Sequence, residues 1–236
     1  YEHAIWLIYA ENYLHVEGGD DYNSLMEAYA NTPDGGTITV IKDFTTDELL
    51  PTFEKNITFN LNDHSLTYSQ PIVNNAIFTI TGGENGNGTL KSANSSVPTI
   101  RNTAVKNAAN ATVNIKSGTI IGSCGAIISE RTNTTNAYPV PELNITGGTI
   151  KTESTESVCN VIESQRSNIN ISNALITGQT EEANHTIKGI FAYLGGTIIM
   201  DSGVVDIAAP IAYGFASQYS TSMTVNINDG TIKATS

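Results

Sequence analysis

"LNITGGTI" at residues 143–150 has relatives along the chain, and their spacing decides the fold. The relatives are VNIKSGTI at 113–120, a looser INISNALI at 169–176, and VNINDGTI at 225–232. The turn position of the unit recurs at intervals of 30, 26, 29 and 27 residues, at Gly118, Gly148, Ala174, Gly203 and Gly230. Repeats of roughly 20–50 residues are typical of solenoids, so the spacing predicts stacked units.

Each unit holds apolar residues that alternate with polar ones on both sides of the turn, as Val113, Ile115 and Ile120 show. This alternation predicts two short strands joined by a bend, with the aliphatic side chains on one side. A third apolar run follows in each unit, at 97–100, 125–128, 160–164, 189–193 and 211–217. Three strands per repeat predict an all-β parallel β-helix, because one coil cannot bury its own aliphatic face. Earlier runs at 37–41, 57–61 and 76–80 raise the expectation to about seven to eight three-stranded coils.

The segment before the repeats has a different pattern. Leu25, Met26 and Tyr29 stand at helical spacing, and Asp21 or Asn23 is available as the N-cap. We therefore expect residues 1–36 to form an N-terminal strand and capping-helix segment, and residues 37–236 to form the β-helix. The repeat pattern still runs at Ile232, so we expect the solenoid to continue beyond this sequence.

The net charge of the chain limits the kinds of partner that it can bind. The chain carries 23 Asp and Glu against 11 Lys and Arg, a formal net charge of −12. This surface repels phosphate backbones, so nucleic acid is not an expected partner. No stretch approaches the roughly 20 apolar residues of a membrane span, so we expect no membrane insertion by this chain.

Two columns of side chains follow from stacking the repeats. Aliphatic residues from one strand of each unit should point inward together: Ile115, Ile145, Ile171 and Ile227. The residue before each of them should lie on the opposite side and form a ladder of amides, interrupted by Thr79 and Ile199: Asn60, Asn114, Asn144, Asn170 and Asn226. Stacked amides can hydrogen-bond along a solenoid.

The two cysteines fall at equivalent places in neighbouring repeats, because CGAIISER at 124–131 aligns with CNVIESQR at 159–166. Cα atoms on adjacent coils come within disulfide range, at about 5 Å. Two interpretations remain open for Cys124 and Cys159: thiols stacked in the core, or a disulfide bridge.

The chain resembles the right-handed parallel β-helix proteins of the pectate-lyase-like class, and within it the repetitive surface proteins and adhesins of bacteria. The resemblance rests on residues 22–44, on residues 57–67, and on the repeated N-I-x-x-G-T-I units. It implies a right-handed coil and a secreted or cell-surface location. This fold supports lyases, hydrolases and adhesins alike, so it does not by itself assign an activity.

The residues give little support to an enzyme. NDH at 62–64 is superficially similar to a lyase Asp-His pair, but the arginine-containing lyase motif and the Gly-His-Gly of hydrolases are not recognisable. The carboxylates available for acid–base chemistry are expected to be solvated: Glu130, Glu142, Glu153, Glu156 and Glu163. The histidines have no metal-ligand spacing: His3, His15, His64 and His185. We assign no catalytic residue, metal or cofactor.

The candidate binding surface lies on two loops that lengthen the repeat, at 129–142 and 178–189, because long loops on a rigid scaffold commonly carry recognition. Their chemistry suits an acidic sugar or a partner's carboxylate, and the candidate residues are Arg131, Tyr138, Arg166, Glu181, Glu182 and His185. We expect a non-enzymatic, adhesin-like bacterial protein that binds a host glycan or a host surface or secreted protein. The alternatives are a polysaccharide lyase or glycoside hydrolase, and a structural stalk.

Overall fold

The computed structural model describes residues 11–131, 133–135, 137–153, 156–218 and 223–236. The protein is all-β, with parallel coils stacked into a β-solenoid and only 3% of the chain in helix. The predicted parallel β-helix is therefore confirmed. His3 lies outside the described residues.

One helix and twenty-two strands make up the described part of the chain. In chain order they are β1 (Leu14–Val16), β2 (Asp21–Tyr22), α1 (Leu25–Asn31), β3 (Gly36–Val40), β4 (Phe44–Thr46), β5 (Ile57–Asn60), β6 (Ser65–Tyr68), β7 (Ile72–Asn74), β8 (Ile77–Thr81), β9 (Thr89–Ser92), β10 (Ile100–Thr103), β11 (Thr112–Ile115), β12 (Thr119–Gly122), β13 (Ile127–Glu130), β14 (Glu142–Ile145), β15 (Thr149–Thr152), β16 (Val158–Ile171), β17 (Leu175–Gln179), β18 (Thr186–Met200), β19 (Val204–Ala208), β20 (Ile211–Gln218), β21 (Met223–Ile227) and β22 (Thr231–Thr235).

The coils build three faces. Face 1 contains β3, β5, β8, β11, β14, the second parts of β16 and β18, and β21. Face 2 contains β4, β6, β9, β12, β15, β17, β19 and β22. Face 3 contains β7, β10, β13, the first parts of β16 and β18, and β20. Neighbouring strands on each face run parallel and in register.

The expected number of complete coils was too high. Eight coils begin in the described residues, but about six have all three strands. In coil 1 the approach to face 3 is reduced to a single bridge between Phe53 and Asn74. Coil 8 contributes only β21 and β22.

Three corners connect the faces, and each is a column of short segments. The first corner, from face 1 to face 2, comprises 41–43, 61–64, 82–88, 116–118, 146–148, 172–174, 201–203 and 228–230. The described residues of the second corner, from face 2 to face 3, are 47–52, 69–71, 93–99, 123–126, 153, 156–157, 180–185 and 209–210. The described residues of the third corner, from face 3 back to face 1, are 54–56, 75–76, 104–111, 131, 133–135, 137–141, 166 and 194–195.

Left-handed backbone at the first corner explains the recurring glycine. Gly148 has φ +82°, and a Cβ there would lie 2.5 Å from the carbonyl oxygen of Gly118 in the coil below. The repeat that carries Ala174 instead moves the positive φ one residue back, to Asn173 at +50°. Asparagine tolerates this region better than most residues, so the corner survives the change.

The aliphatic column is confirmed for three of its four members. Ile115, Ile145 and Ile171 align in register and are at most 2% exposed. Ile227 aligns with the same column through Met200, but its residue is 47% exposed. The expectation that Ile227 is buried was wrong, because coil 8 has a coil packed on only one of its sides in the described structure.

The amide ladder is confirmed over three coils. Asn170 donates to Asn144 at 2.8 Å, and Asn144 donates to Asn114 at 3.0 Å. Asn60 does not belong to it, because its register partner is Thr81, which donates to the Asn60 side chain at 3.2 Å.

A second polar column lies inside the core, where the sequence suggested only aliphatic packing. It follows face 3 through Asn74, Asn102, Ser129 and Ser164, each at most 1% exposed. Asn102 accepts from Asn74, and its Nδ2 contacts the carbonyl oxygens of Ala111 and Glu142. These residues therefore connect the face 3 strands with the carbonyls of the third corner.

The N-terminal segment packs on the first coils. The N-cap of α1 is Ser24, whose hydroxyl accepts from the amide of Glu27, so the expected caps Asp21 and Asn23 were wrong. Leu25 is fully buried, whereas Met26 is 45% exposed. Strand β1 pairs antiparallel with β3 and so covers the edge that β3 would otherwise present.

Candidate functional site

A surface cavity of about 420 Å³ lies at the third corner, where coils 4, 5 and 6 pass from face 3 to face 1. Its lining combines two arginines with small and polar residues: Arg131, Thr134, Val140, Arg166, Asn168, Leu194, Gly195 and Gly196. We call it the corner cavity.

Unequal corner lengths create the corner cavity. Coil 4 crosses the corner through the loop 131–141, whereas coils 5 and 6 cross it inside the continuous strands β16 and β18. The chain bends there at Arg166, with φ +51°, and at Leu194, with φ +61°. A left-handed backbone costs a residue other than glycine about 1–2 kcal/mol, so two such bends in adjacent coils mark a site that the surrounding structure constrains.

Arg131 is folded against its own loop. Its Nη2 donates to the carbonyl oxygen of Thr135 at 2.7 Å and contacts that of Thr134 at 3.3 Å. Its Nε is buried and has no hydrogen-bond partner among the described residues. The guanidinium is thus oriented by the loop while one of its donors is left unsatisfied.

Arg166 lies in the next coil, as the sequence alignment predicted. Its Nη1 donates to the carbonyl oxygen of Arg131 at 3.4 Å, which brings the two residues together. No carboxylate of the described residues forms an ion pair with either arginine. Two guanidinium groups without a counter-charge therefore meet in one cavity of a protein whose net charge is −12.

Tyr138 is not part of the cavity lining. Its amide donates to the carbonyl oxygen of Thr135 at 3.0 Å, and its side chain is half-buried. The loop also receives support from below, because the amide of Asn107 donates to Ala137 at 2.7 Å. Tyr138 thus takes part in the folded loop, and the structure gives it no contact with the arginines.

The second predicted loop belongs to a different corner. Glu181, Glu182 and His185 lie at the second corner, between β17 and β18, so the six candidate residues do not form one site. His185 Nε2 is 3.4 Å from a Glu182 carboxylate oxygen, and its Nδ1 is buried without a partner among the described residues. Glu181 is exposed.

Three outward-facing residues of β18 were not picked out from the sequence. Tyr193 directly precedes Leu194, and its ring lies 6.5 Å from that of Phe191 on the outer side of face 3. The Lys188 ammonium lies 4.2 Å from the centre of the Phe191 ring. The alternation of Phe191 and Tyr193 within GIFAY was the available signal, but that segment was interpreted only as an apolar strand.

The structure pairs the two cysteines. Cys124 and Cys159 form a disulfide with a Cα separation of 4.9 Å. It connects the second corner of coil 4 to β16 in coil 5.

The carboxylates that an enzyme would need are mostly engaged in structural contacts. Glu153 is bound by Lys151 at 2.7 Å and Lys91 at 2.8 Å, and these contacts lower the pKa of its carboxyl group. Glu130 is bound by Arg101 at 2.6 Å. A general acid needs a raised pKa, so Glu153 is poorly suited to that role.

The NDH segment is also part of the scaffold. The Asp63 carboxylate accepts from the backbone amides of Asn87 and Asn85, which lowers its pKa. His64 Nδ1 lies 3.2 Å from an Asp43 carboxylate oxygen. Within the described ranges no group of three or more His, Cys, Asp or Glu side chains is arranged to hold a metal ion, and no helix has the length and apolarity needed to cross a membrane.

Fold and cavity together define a parallel β-solenoid with a cationic cavity at one corner. Comparisons with protein-family models, with curated proteins and with solved structures gave no match to this chain.

Proposed function

We propose that this chain is a binding module of a secreted or cell-surface bacterial protein, adhesin-like and of the pectate-lyase-like class. In this proposal the corner cavity takes a carboxylate or sulfate group of a host glycan, or an acidic side chain of a host protein. The observation that carries the proposal is the pair Arg131 and Arg166, which share the cavity and have no carboxylate partner among the described residues.

The chemistry of guanidinium supports an anionic ligand. Its planar fork of donors matches the two oxygens of a carboxylate or sulfate, and a hydrogen bond to a charged group contributes about 1.5–3 kcal/mol. The loop fixes Arg131 before any ligand arrives, so little side-chain entropy is lost on binding. Thr134 and Asn168 add polar groups that suit sugar hydroxyls.

The disulfide supports the proposed location. Cys124 and Cys159 are bridged, and such bonds persist mainly in oxidising compartments outside the cytoplasm. The solenoid itself supplies a rigid framework on which the loop 131–141 is held.

A binding screen of acidic and matched neutral glycans, with host extracellular proteins in parallel, tests the proposal. We expect acidic ligands to bind, and Arg131→Ala and Arg166→Ala each to weaken the best of them about tenfold or more. Lys116→Ala is the matched control, since it removes an exposed cation at the first corner, and it should leave affinity unchanged. The melting temperature of each variant shows whether the fold has been kept.

Two results would contradict the proposal. One is that no acidic ligand in the screen binds. The other is that Lys116→Ala lowers the affinity as much as the two arginine variants do. A reducing-sugar assay on the same glycans covers the enzyme alternative, because turnover there would replace binding as the function.

A further inference from the structure

Charge is distributed very unevenly among the three corners. The first corner has five carboxylates and two cations: Asp43, Asp63, Glu84, Asp201 and Asp229, with Lys42 and Lys116. The second corner has six carboxylates and no cation: Asp47, Glu48, Glu153, Glu156, Glu181 and Glu182. The third corner has one carboxylate and four cations: Glu54, with Lys55, Lys106, Arg131 and Arg166. The third corner, which we call the cationic edge, thus carries more cations than carboxylates. Two carboxylates border it: Glu130, which pairs with Arg101, at the end of β13, and Glu142 at the start of β14.

Three of these cations occupy consecutive coils. Lys106 belongs to coil 3, Arg131 to coil 4 and Arg166 to coil 5. Arg131 and Arg166 directly follow Glu130 and Gln165, which pair in register, whereas Lys106 lies two residues beyond Ala104, the equivalent position in coil 3. Lys106 is exposed and, like the two arginines, forms no ion pair with a described carboxylate.

The loops that carry these cations are fixed to one another. The amide of Asn107 in coil 3 donates to Ala137 in coil 4, and Arg166 in coil 5 donates to the carbonyl of Arg131 in coil 4. Lys55 differs, because its ammonium already donates to the carbonyl oxygens of Ala30 and Thr32 near α1. The available part of the cationic edge therefore runs from Lys106 to Arg166.

We propose that the cationic edge binds a linear anionic glycan that lies along the solenoid axis, with carboxylate or sulfate groups on successive sugars facing coils 3, 4 and 5. This inference rests on the proposed function and specifies its ligand. A single acidic group would need only the corner cavity, whereas three cations on consecutive coils match a polymer that carries repeated anions. The acidic first and second corners repel such a chain when it moves sideways, which keeps it on the edge.

The composition of the edge favours a glycan over a nucleic acid. Thr134 and Asn168 line the cavity and offer hydrogen bonds to hydroxyl groups. A duplex is wide enough to bring further phosphates towards the carboxylates of the neighbouring corners, where they are repelled.

The test uses heparin-derived oligosaccharides of increasing length, which carry anions on nearly every sugar, and hyaluronan oligosaccharides, which carry one on every second sugar. We expect affinity for the heparin series to rise with length until the chain spans coils 3 to 5, and then to level off. At equal length the hyaluronan series should bind more weakly. Raising the salt concentration should weaken long oligomers more than short ones, because more ion contacts are lost.

The variant Lys106→Gln distinguishes binding along the cationic edge from binding in the corner cavity alone. It should weaken long heparin oligosaccharides about fivefold, the effect of losing about 1 kcal/mol, while leaving the shortest fragment that binds unaffected. Lys116→Gln, at the first corner, is the matched control, and it should change neither the affinity for long oligosaccharides nor the affinity for the shortest fragment. Arg166→Ala should weaken oligomers of every length.

The outcomes distinguish this inference from the proposed function. Binding of acidic glycans that is independent of length and of Lys106 overturns the inference and leaves the corner cavity as a site for a single anion. Absence of binding at every length overturns both. A single-stranded oligonucleotide of equal charge that binds as tightly as the heparin fragment would overturn the choice of a glycan.

Discussion

Asn74 donates a hydrogen bond of 2.9 Å to Oδ1 of Asn102, and both side chains are fully buried between coils 2 and 3. Asn102 in turn donates to the carbonyl oxygen of Glu142 at 2.8 Å and contacts that of Ala111 at 3.2 Å. Its Nδ2 also lies 3.3 Å from the hydroxyl of Ser129. One amide thus satisfies carbonyl groups of two coils where the chain turns from face 3 to face 1.

Replacing this amide should be costly. Asn102→Ala would leave several buried polar groups without partners, each of which costs about 1–3 kcal/mol, so we expect a loss of roughly 2–4 kcal/mol in unfolding free energy. Asn114→Ala, which removes a half-buried member of the outer ladder, should cost about 1 kcal/mol or less. Denaturant unfolding of both variants measures the difference, and equal losses would contradict the inward assignment of Asn102.

Two adjacent residues of β14 give a sharper test of which side faces the core. Ile145→Asp would bury a carboxylate in an apolar core and should cost at least about 3–5 kcal/mol or prevent folding. Asn144→Asp introduces the same charge on the outer side and should cost only about 1 kcal/mol. If both variants lowered the melting temperature equally, the assignment of Ile145 to the inner side of β14 and of Asn144 to its outer side would be wrong.

Asp63 should make stability depend on acid pH. The backbone amides of Asn87 and Asn85 hold the pKa of its carboxyl group below the ordinary value in the folded state. The unfolded chain therefore binds the proton first as pH falls. The stabilising contribution is complete above the unfolded pKa of about 4 and is lost as pH drops through the folded pKa.

Asp63→Asn isolates this effect. The variant should melt at a lower temperature than the wild type at neutral pH, and the two melting temperatures should converge as pH falls below about 4. Thermal unfolding over a pH series measures the convergence. A constant gap at every pH would show that the carboxylate charge at Asp63 contributes nothing.

The disulfide should contribute measurably to stability. Cys124 and Cys159 are 35 residues apart, and closing a loop of that length is worth about 3–4 kcal/mol by chain-entropy arguments. A mild reductant should lower the melting temperature of the wild type. Cys159→Ala should start at that lower value and show no further response to reductant. If reduction left the melting temperature of the wild type unchanged, the disulfide would not contribute to stability.

The repeat made much of the fold predictable. The octapeptides placed β11, β14 and β21 correctly, because a period of two with a recurring turn residue has few structural solutions. The third apolar runs at 160–164, 189–193 and 211–217 lie within β16, β18 and β20. Those at 97–100 and 125–128 overlap only the starts of β10 and β13. The count of complete coils was less predictable, since the first and last coils have the same local pattern as the others while lacking one strand of the three.

The register errors have a simple origin. Asn60 resembles the ladder residues in sequence, but the pairing of β5 with β8 matches Phe59 to Ile80 and so shifts Asn60 beside Thr81. Inward amides such as Asn102 were missed because RNT at 101–103 carries no apolar residue to mark its direction. Local pattern specifies which residues alternate, but the neighbouring coil decides which of them enter the core.

The candidate site was predictable only in part. Aligned flanking sequences placed Arg166 beside Arg131 correctly. Loop length suggested that Tyr138 would join them, yet Tyr138 is not among the residues that line the cavity. Glu181, Glu182 and His185 proved to be at another corner, because position along the chain does not reveal which corner a loop occupies until the strands are assigned to faces.

The disulfide between coils 4 and 5 has a consequence for the protein under mechanical load. Each coil is connected to its neighbours by hydrogen-bonded strands, so a force applied at coil 8 would peel coils away one at a time from that end. Peeling would stop at Cys159, since a covalent bond rather than a ladder ties that residue to coil 4. The residues that follow Cys159, Arg166 among them, would be released before that point, whereas Lys106 and Arg131 would stay in folded coils. Force applied at coil 8 would therefore separate the two arginines of the corner cavity before it reached the covalent tie.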